Sequence, residues 1–348
     1  MTARILEQLV GDTHSFWPYW RHRPGVFTPG GAAPSPFTLA DIDAALASGY
    51  FREPYIEMWL DGRRLPATDF TSSRTVARET PAGFADPVKI RALVHDGATM
   101  LLRCIDQWHG PTRDMLAALA EEFGRAVEAF SFVTPAGQAG LPLHRDDGDV
   151  LIVQVAGSKS WKVHEGPAGG AWHAGRVTSG EQQPTELFHT VLTPGQVLYI
   201  PRGFAHQAVG QDGLSAHLSL AVREIGVADL SGRLQDCVVR AADDDAVDAA
   251  PLPLSDDEIT AAAKTLLETA RRQLAGMTPE ALVAHARQHR RNGMTVPPTT
   301  LSLADLARAW PATEQTEQNG QTGQTGQTGP TGTTAPEGTG RDSDGRHP

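Results

Sequence analysis

The hydrophobic pattern of the chain changes along its length, and its middle part reads as β-structure. Between residues 130 and 224, short apolar runs such as AFSFVTP, DVLIVQVAG, QVLYIPRG and SAHLSLAVRE are separated at short intervals by glycine and proline. Strands that recur at such spacing are typical of an antiparallel sandwich or barrel. The first 125 residues mix helical runs, among them PTRDMLAALAEEFG, with one strand-like run, TMLLRCI. The pattern therefore predicts a mainly β barrel core with helices in front of it.

Helical periodicity returns after the β-rich part. In LSDDEITAAAKTLLETARRQLAG, Ser255 lies three residues before Glu258, which is a capping-box pattern, and the apolar residues repeat at helical spacing. The segment TPEALVAHARQHRRNG begins in the same way, with Thr278 as the cap and proline at the first helical position. We therefore expect a C-terminal helical segment.

The last part of the chain has almost no aliphatic or aromatic residues. It reads PATEQTEQNGQTGQTGQTGPTGTTAPEGTGRDSDGRHP from Pro311 onward. Such a stretch buries too little apolar surface to offset its ordering entropy, so disorder is expected. The predicted organisation is a barrel domain with a helical N-terminal region, a helical segment and a disordered low-complexity tail, over residues 1–225, 226–311 and 312–348.

Charge and cysteine content narrow the function classes. The formal net charge of the 348 residues is −11, whereas phosphate binding relies on clustered lysine and arginine. We therefore expect no nucleic-acid partner. The two cysteines, Cys104 and Cys237, form no CxxC motif, which argues against a disulfide scaffold or a cysteine zinc site. The first residues lack a secretory-signal layout, and no run approaches the ~20 apolar residues of a membrane span. A cytoplasmic protein away from membranes is the expectation.

One short segment carries a candidate metal-ligand pair. His144 and Asp146 lie two residues apart, directly before the apolar run DVLIVQVAG. Side chains alternate along an extended chain, so both face the same side. His206 follows a strand and a turn in QVLYIPRGFAHQAVG. Two histidines and one carboxylate can form the facial triad that holds Fe(II) and leaves coordination positions open. The alternative is a chance pair, because the chain has 13 histidines.

Taken together, these segments resemble the cupin-like JmjC oxygenases, in their ribosomal oxygenase branch. The matching stretches are TPAGQAGLPLHRDDGDVLIVQVAGSKSWKV, LTPGQVLYIPRGFAHQAV and SAHLSLAV, with FWPYWRHRPGVF near the start, so the likeness spans roughly residues 5–225. The resemblance implies a double-stranded β-helix (cupin or jelly-roll) barrel. It also implies an enzyme that uses Fe(II) and 2-oxoglutarate to hydroxylate a protein or peptide side chain, forming succinate. A ribosomal protein is one candidate substrate.

The resemblance also implies roles for single residues. His144, Asp146 and His206 fall on the iron ligands of the family. Lys159, in GSKSW, falls on the lysine that binds the distal carboxylate of 2-oxoglutarate. A carboxylate buried inside a barrel needs a positive partner, which agrees with this role. The alternative interpretation of Lys159 is a turn lysine in solvent.

Three positions depart from the family pattern. Phe130 and Phe132 stand where the family offers an asparagine and a tyrosine to the co-substrate, and Ala221 stands where a hydroxyl is frequent. The pocket is therefore expected to be short of hydrogen-bond donors. Trp161 shares a face with Lys159, and core packing is its simplest role. His217 either lines the pocket or is a satisfied barrel histidine.

Three functions stay open on the sequence alone. The first is the hydroxylase of a protein or peptide side chain, and the second is a tailoring hydroxylase of a small metabolite or natural-product peptide. The third is a cupin-like binding protein without turnover, which the two phenylalanines favour. Zinc, nickel or manganese also suit such ligands, since divalent affinity does not single out iron.

The segment 226–311 resembles, in its position, the helical dimerisation segment of ribosomal oxygenases. It is short for that segment together with the winged-helix module that often follows, so this module is expected to be reduced or missing. Amphipathic helices that cannot form a core alone often complete one across a two-fold axis. A homodimer is therefore predicted.

Overall fold

The computed structural model describes residues 4–31, 35–167, 169, 172–239 and 255–294, together with residues 303, 305 and 308. The chain divides into two compact units, residues 1–297 and residues 298–348. The predicted disordered tail, residues 312–348, lies outside the described residues. The strands and helices below all belong to the first unit.

Most of the described chain between residues 127 and 223 is antiparallel β-structure. One sheet has eight strands in the order β1-β13-β9-β15-β7-β6-β2-β3, a second has five in the order β11-β8-β14-β10-β12, and β4 pairs with β5. The strands are β1 (Gly25–Phe27), β2 (Ile56–Leu60), β3 (Arg63–Arg64), β4 (Thr71–Ser72), β5 (Phe84–Ala85), β6 (Thr99–Leu102), β7 (Val127–Pro135), β8 (His144–Arg145), β9 (Gly148–Ala156), β10 (Lys159–His164), β11 (Gly175–Arg176), β12 (Glu186–Leu192), β13 (Val197–Ile200), β14 (Ala205–Gly210) and β15 (Leu214–Arg223).

Helices precede and follow this β-rich part. They are α1 (Ile5–Val10), α2 (Thr13–Phe16), α3 (Leu39–Ala47), α4 (Pro87–His95), α5 (Ile105–Trp108), α6 (Gly110–Phe123), α7 (Val227–Val239), α8 (Asp256–Ala275) and α9 (Pro279–Met294). The predicted capping box at the start of α8 is present, because the Ser255 side chain accepts from the Glu258 amide and the Glu258 side chain accepts from the Ser255 amide. Over the described residues, no helix has the length and apolar content that a membrane span requires.

Two hydrophobic clusters explain why the large sheet is apolar on both faces. The larger cluster joins odd-numbered residues of β7, such as Ala129 and Val133, to buried residues of the N-terminal helices, such as Leu9 and Leu119. The smaller cluster lies between the two sheets, where Val150 and Ile152 of β9 belong to the same cluster as residues of β10. Because alternate side chains of a strand point to opposite faces, one face of β7 packs against the helices and the other faces the space between the sheets.

The mainly β fold with helices at both ends confirms the predicted fold class. The strands form two facing sheets of a jelly-roll arrangement and do not pair into a single closed barrel in the described residues. The boundary predicted at residue 225 stays a prediction. At that position Glu224 accepts hydrogen bonds from Arg21, Arg125 and Arg287, at 2.6, 2.9 and 2.9 Å, and thereby joins α9 to the β-rich part.

Candidate functional site: a His-Asp-His group beside a buried lysine

Three predicted ligands come together at one end of the small sheet. His144 of β8 pairs directly with His206 of β14, and the centroids of the two rings are 4.3 Å apart. Asp146 follows β8; its Oδ1 lies 3.7 Å from His144 Nε2 and its Oδ2 lies 3.5 Å from His206 Nε2. One ligand atom from each residue lies within 4.8 Å of the others, which is close enough for all three to bind one metal ion.

The two imidazoles are oriented by backbone carbonyls. His144 Nδ1 lies 2.8 Å from the carbonyl oxygen of Pro142, and His206 Nδ1 lies 3.1 Å from that of Phe204. Because a carbonyl oxygen only accepts, each Nδ1 donates, and each Nε2 keeps its lone pair for a metal. Burial lowers the pKa of His206 to about 4, with a further contribution from His144. His206 is therefore neutral at pH 7, as a metal ligand must be.

A turn connects the backbone of Asp146 to the start of β14. The Gly203 amide donates to the Asp146 carbonyl oxygen at 2.9 Å, and Arg145 Nη1 donates to the Gly203 carbonyl oxygen at 2.7 Å. Gly203 has a φ of +82°, a conformation that favours glycine. The turn therefore fixes Asp146 relative to His206, which lies three residues after Gly203.

A cavity of about 170 Å³ extends from the three ligands into the space between the sheets. The small sheet contributes His144, Lys159, Trp161 and His206 to its lining. From the large sheet come mostly apolar residues and a few polar ones, namely Leu101, Phe130, Phe132, Val150, Ile152, His217, Ser219 and Ala221. Arg103 and Arg223 also line it. Such a mostly apolar pocket with a few polar groups is typical of a small-molecule site.

Lys159 is buried in this cavity, with 2% of its surface exposed, so the alternative of a solvent-exposed turn lysine is wrong. Its Nζ donates to Thr134 Oγ1 at 2.8 Å and lies 3.3 Å from His217 Nδ1. No carboxylate of the described residues forms an ion pair with it. Burial lowers the pKa of Lys159 to about 7, because an ammonium group in an apolar cavity loses its hydration.

The residues that depart from the family pattern line the same cavity. Two guanidinium groups lie near the Phe130 ring, with Arg103 Cζ at 5.6 Å and Arg223 Cζ at 5.7 Å from its centroid. Phe132 stacks on His217, with ring centroids 5.0 Å apart and planes at 12°. The large sheet thus presents aromatic rings at two positions where the sequence resemblance implies polar contacts.

The cavity also contains groups that the sequence could not assign. Arg103 pairs with Glu57 and Arg223 pairs with Glu128, and both arginines line the cavity. No motif pointed to them, because they come from strand ends far apart in the sequence. Gln154 of β9 does not line the cavity; its side chain donates to two backbone carbonyls and to Ser215 Oγ.

Comparisons with known proteins agree with this geometry. The family described as JmjC domain matches residues 105–230. Human ribosomal oxygenase 1 is 32% identical over 192 residues, which cover 53% of this chain and 28% of that protein. The bifunctional lysine-specific demethylase and histidyl-hydroxylase NO66 of Drosophila simulans is 33% identical over 187 residues, which cover 51% of this chain and 22% of that protein. The chain therefore spans less than a third of the length of these two relatives.

A solved structure shows the same fold. The X-ray structure of E. coli ycfD superposes with a TM-score of 0.50 at 19% sequence identity, over 79% of this chain and 70% of that chain. At this identity the likeness concerns the fold alone. It agrees with the jelly-roll architecture that the two facing sheets form.

Proposed function

We infer from its JmjC domain, which makes the chain a homologue of the ribosomal oxygenases, that this protein is an Fe(II)- and 2-oxoglutarate-dependent oxygenase hydroxylating a protein or peptide side chain. The observation that carries this proposal is the convergence of His144, Asp146 and His206 within 4.8 Å at a cavity that also contains a buried lysine. Such a reaction requires a set of metal ligands and a cation that binds the carboxylate of the co-substrate.

The roles of the residues follow from their chemistry. His144, Asp146 and His206 would hold Fe(II), and two neutral imidazoles with one carboxylate fit this ion. Lys159 would bind the distal carboxylate of 2-oxoglutarate, because a buried ammonium without a counter-ion is stabilised by an anion. The bound iron and 2-oxoglutarate would supply the oxidation of a C–H bond, with decarboxylation to succinate. The chain itself orients the ligands and keeps the cavity apolar.

The metal assignment is tested by occupancy. Purified without oxygen, the full chain should bind about one Fe(II) per chain, and His144→Ala should lose it because a two-ligand site binds far more weakly. His189→Ala is the matched control, since His189 lies on β12 and contacts Ser160 outside the cavity. Full occupancy of the His144→Ala variant, measured by metal analysis, would contradict the proposed ligand set.

The substrate class is proposed from the relatives. One relative is named a ribosomal oxygenase and another a histidyl-hydroxylase, so we favour a side chain of a ribosomal protein as substrate. We also propose that the protein acts in the cytoplasm, where ribosomes work. Incubation of the full chain with Fe(II), 2-oxoglutarate and ribosomal proteins should give +16 Da peptides, detected by mass spectrometry. Products of +16 Da only among small metabolites would favour a tailoring hydroxylase instead.

Two aromatic residues that line the cavity favour a second candidate function, a binding protein without turnover. Phe130 and Phe132 occupy cavity positions where the family pattern offers polar contacts to the co-substrate. Succinate formation separates the two functions. An oxygenase releases succinate from 2-oxoglutarate in the presence of Fe(II) and oxygen, whereas a binding protein retains the bound acid unchanged.

We also propose that the chain forms a homodimer through α8. None of the described residues of this 20-residue helix is buried. Four of its apolar side chains have more than half of their surface exposed. These side chains are Ile259, Leu266, Leu267 and Leu274. They recur at helical spacing, so they form one apolar stripe, and such a stripe is stabilised by a partner.

Light scattering tests the dimer. The full chain should have twice the mass of 37.2 kDa, and the double substitution Leu266→Glu and Leu267→Glu should produce the monomer. Val88→Glu is the control, because Val88 is 66% exposed on α4 and lies on a different element. A wild-type mass of one chain at micromolar concentration would contradict the proposal.

A further inference from the structure

Lys159 has one N–H donor that is not used in the cavity. An ammonium group carries three N–H donors. Two are directed to neighbours, one to Thr134 Oγ1 and one to His217 Nδ1. In the described part of the chain, no carboxylate pairs with this cation, which is 2% exposed. The third donor and the uncompensated charge are therefore left for an anionic ligand.

Trp161, which lines the same cavity, carries a second donor that is not used. It lies two residues after Lys159 on β10, so both side chains are on the same face of the strand. Trp161 lines the cavity and is 4% exposed, yet its Nε1 has no hydrogen-bond partner among the described residues. A buried indole N–H without a partner is costly, and buried tryptophans usually find one. A ligand oxygen would supply it.

His217 is held in one orientation by aromatic neighbours. Phe132 stacks on one face of its ring at 5.0 Å, and Trp161 approaches at 5.2 Å with the planes at 74°. Because the ammonium form of Lys159 only donates, His217 Nδ1 accepts from it, and the neutral imidazole carries its proton on Nε2. Burial keeps the pKa of His217 well below its ordinary value, so this ring stays neutral and available as the acceptor. The ring therefore aims the ammonium group of Lys159.

We propose that Trp161 and His217 complete the site for the distal carboxylate of 2-oxoglutarate, with Trp161 Nε1 donating to the carboxylate and His217 acting as a positioning residue for Lys159. This inference rests on the proposed function and extends it. It explains how a wall with Phe130, Phe132 and Ala221 can still serve a dicarboxylate. In this arrangement the polar contacts come from Lys159 and Trp161 of the small sheet, and His217 of the large sheet orients Lys159.

The test compares two 2-oxoacids that differ only in the distal group. The full chain, loaded with Mn(II) so that no turnover occurs, is titrated calorimetrically with 2-oxoglutarate and with 2-oxopentanoate, which has a methyl group in place of the distal carboxylate. Wild-type protein should bind 2-oxoglutarate more tightly. Trp161→Phe should weaken 2-oxoglutarate binding roughly tenfold, the effect of one hydrogen bond to a charged group, and leave 2-oxopentanoate binding within about twofold.

The His217 variants separate positioning from packing. His217→Phe keeps a flat ring against Phe132 but removes the acceptor, so 2-oxoglutarate should bind roughly tenfold or more weakly. His217→Gln restores an acceptor and should recover part of this loss. His189→Gln, on the neighbouring strand outside the cavity, should bind both acids as wild type does. Mn(II) occupancy and melting temperature, measured in parallel, identify any variant that has lost its fold.

The outcomes are distinguishable. Variants that bind 2-oxoglutarate as tightly as wild type would overturn the inference while the proposed function stands. A weakening of both acids to the same extent, or no recovery in His217→Gln, would also overturn it, because the effect would then not concern the distal carboxylate. Failure of the Mn(II)-loaded wild-type protein to bind either acid would instead contradict the proposed function itself.

Discussion

At the scale of single residues, the uncompensated charge of Lys159 links stability to ligand binding. We predict that Lys159→Met, which keeps a similar volume without the charge, stabilises the ligand-free protein by about 1–3 kcal/mol at pH 7. The same variant should lose 2-oxoglutarate binding. Urea unfolding of the two proteins without ligand, followed by titration with 2-oxoglutarate, measures both effects.

The pH dependence checks the cause of this stabilisation. The pKa of Lys159 is about 7 in the folded protein and ordinarily 10.5. The unfolded chain therefore binds more protons between these values, and wild-type stability rises with pH across this range. The advantage of Lys159→Met should shrink from pH 7 to 10. An advantage that does not depend on pH would point to packing instead of charge.

Binding of 2-oxoglutarate should also depend on the proton of Lys159. The carboxylate prefers the ammonium form, and above pH 7 the empty protein must take up a proton to bind it. We predict that the Kd for 2-oxoglutarate rises up to tenfold per pH unit between about pH 7.5 and 9. His206 and His217 are already neutral there, since burial lowers both pKa values.

The control for this prediction is the ligand that lacks the distal group. Calorimetric titration of the Mn(II)-loaded chain with 2-oxopentanoate over the same pH range should show a much flatter Kd. If both acids lost affinity in parallel, the titrating group would lie at the metal end, and Lys159 would not be responsible.

Residue chemistry was predictable where the pattern was local. His144 and Asp146 share a face because they lie two residues apart. A strand followed by a turn indicates His206 as the third ligand. The contact between Lys159 and His217 was not predictable, because it joins residues 58 apart on strands of different sheets. Alternation placed Trp161 beside Lys159, but only the packed structure shows that its Nε1 lacks a partner in the described part of the chain.

At the scale of elements, the turn before β14 controls the metal group. A Cβ on Gly203 would lie 3.0 Å from Pro167 Cδ and 3.1 Å from Trp172 Cζ2, and φ is +82°. We predict that Gly203→Ala lowers stability by about 1–2 kcal/mol and weakens Mn(II) binding about tenfold or more, because the turn also carries the hydrogen bond to the Asp146 carbonyl. Unfolding and metal titration measure the two effects.

Gly213→Ala is the matched control for this turn. Gly213 has a similar φ of +69°, but no atom of the described residues lies within 4 Å of the added Cβ. It precedes β15, away from the metal ligands, so its substitution should cost stability from backbone strain alone and leave Mn(II) affinity unchanged. Equal losses of metal affinity in both variants would show that the Gly203 turn has no special role.

The strands themselves were predictable as a class, but their registers were not. Apolar runs broken by glycine and proline indicate a jelly-roll core, and the burial alternation of β10, with Lys159, Trp161 and Val163 inside, follows from its sequence. The pairing of β15 with β9, however, shifts register between Ala216 and His217. Such an irregularity re-aims a side chain and leaves no local signature in the sequence. The position of His217 therefore needed the structure.

At the scale of the molecule, Glu224 joins three distant parts of the chain. Guanidinium groups from the N-terminal region, from just after α6 and from α9 meet on its carboxylate. The sequence did not reveal this because these arginines lie up to 203 residues from Glu224. Burial alone would raise the pKa of Glu224, but the hydrogen bonds from Arg287, Arg125 and Arg21 outweigh it, so its pKa is lowered. The carboxylate therefore stays charged in mild acid and keeps α9 docked.

We predict that Arg287→Met loosens α9, because Arg287 donates to both oxygens of Glu224 at 2.9 Å. Amide hydrogen exchange in α9 should accelerate about tenfold to a hundredfold, the effect of a charged hydrogen-bonded pair. Arg291→Met is the control on the same helix: Arg291 pairs with Glu121, whose side chain is 75% exposed, so its removal should change exchange little. The difference between the variants should hold from pH 7 to about 5 and decline only in stronger acid, where Glu224 is protonated. Equal exchange in both variants would mean that apolar packing, and not the Glu224 carboxylate, holds the C-terminal helix on the β-rich part.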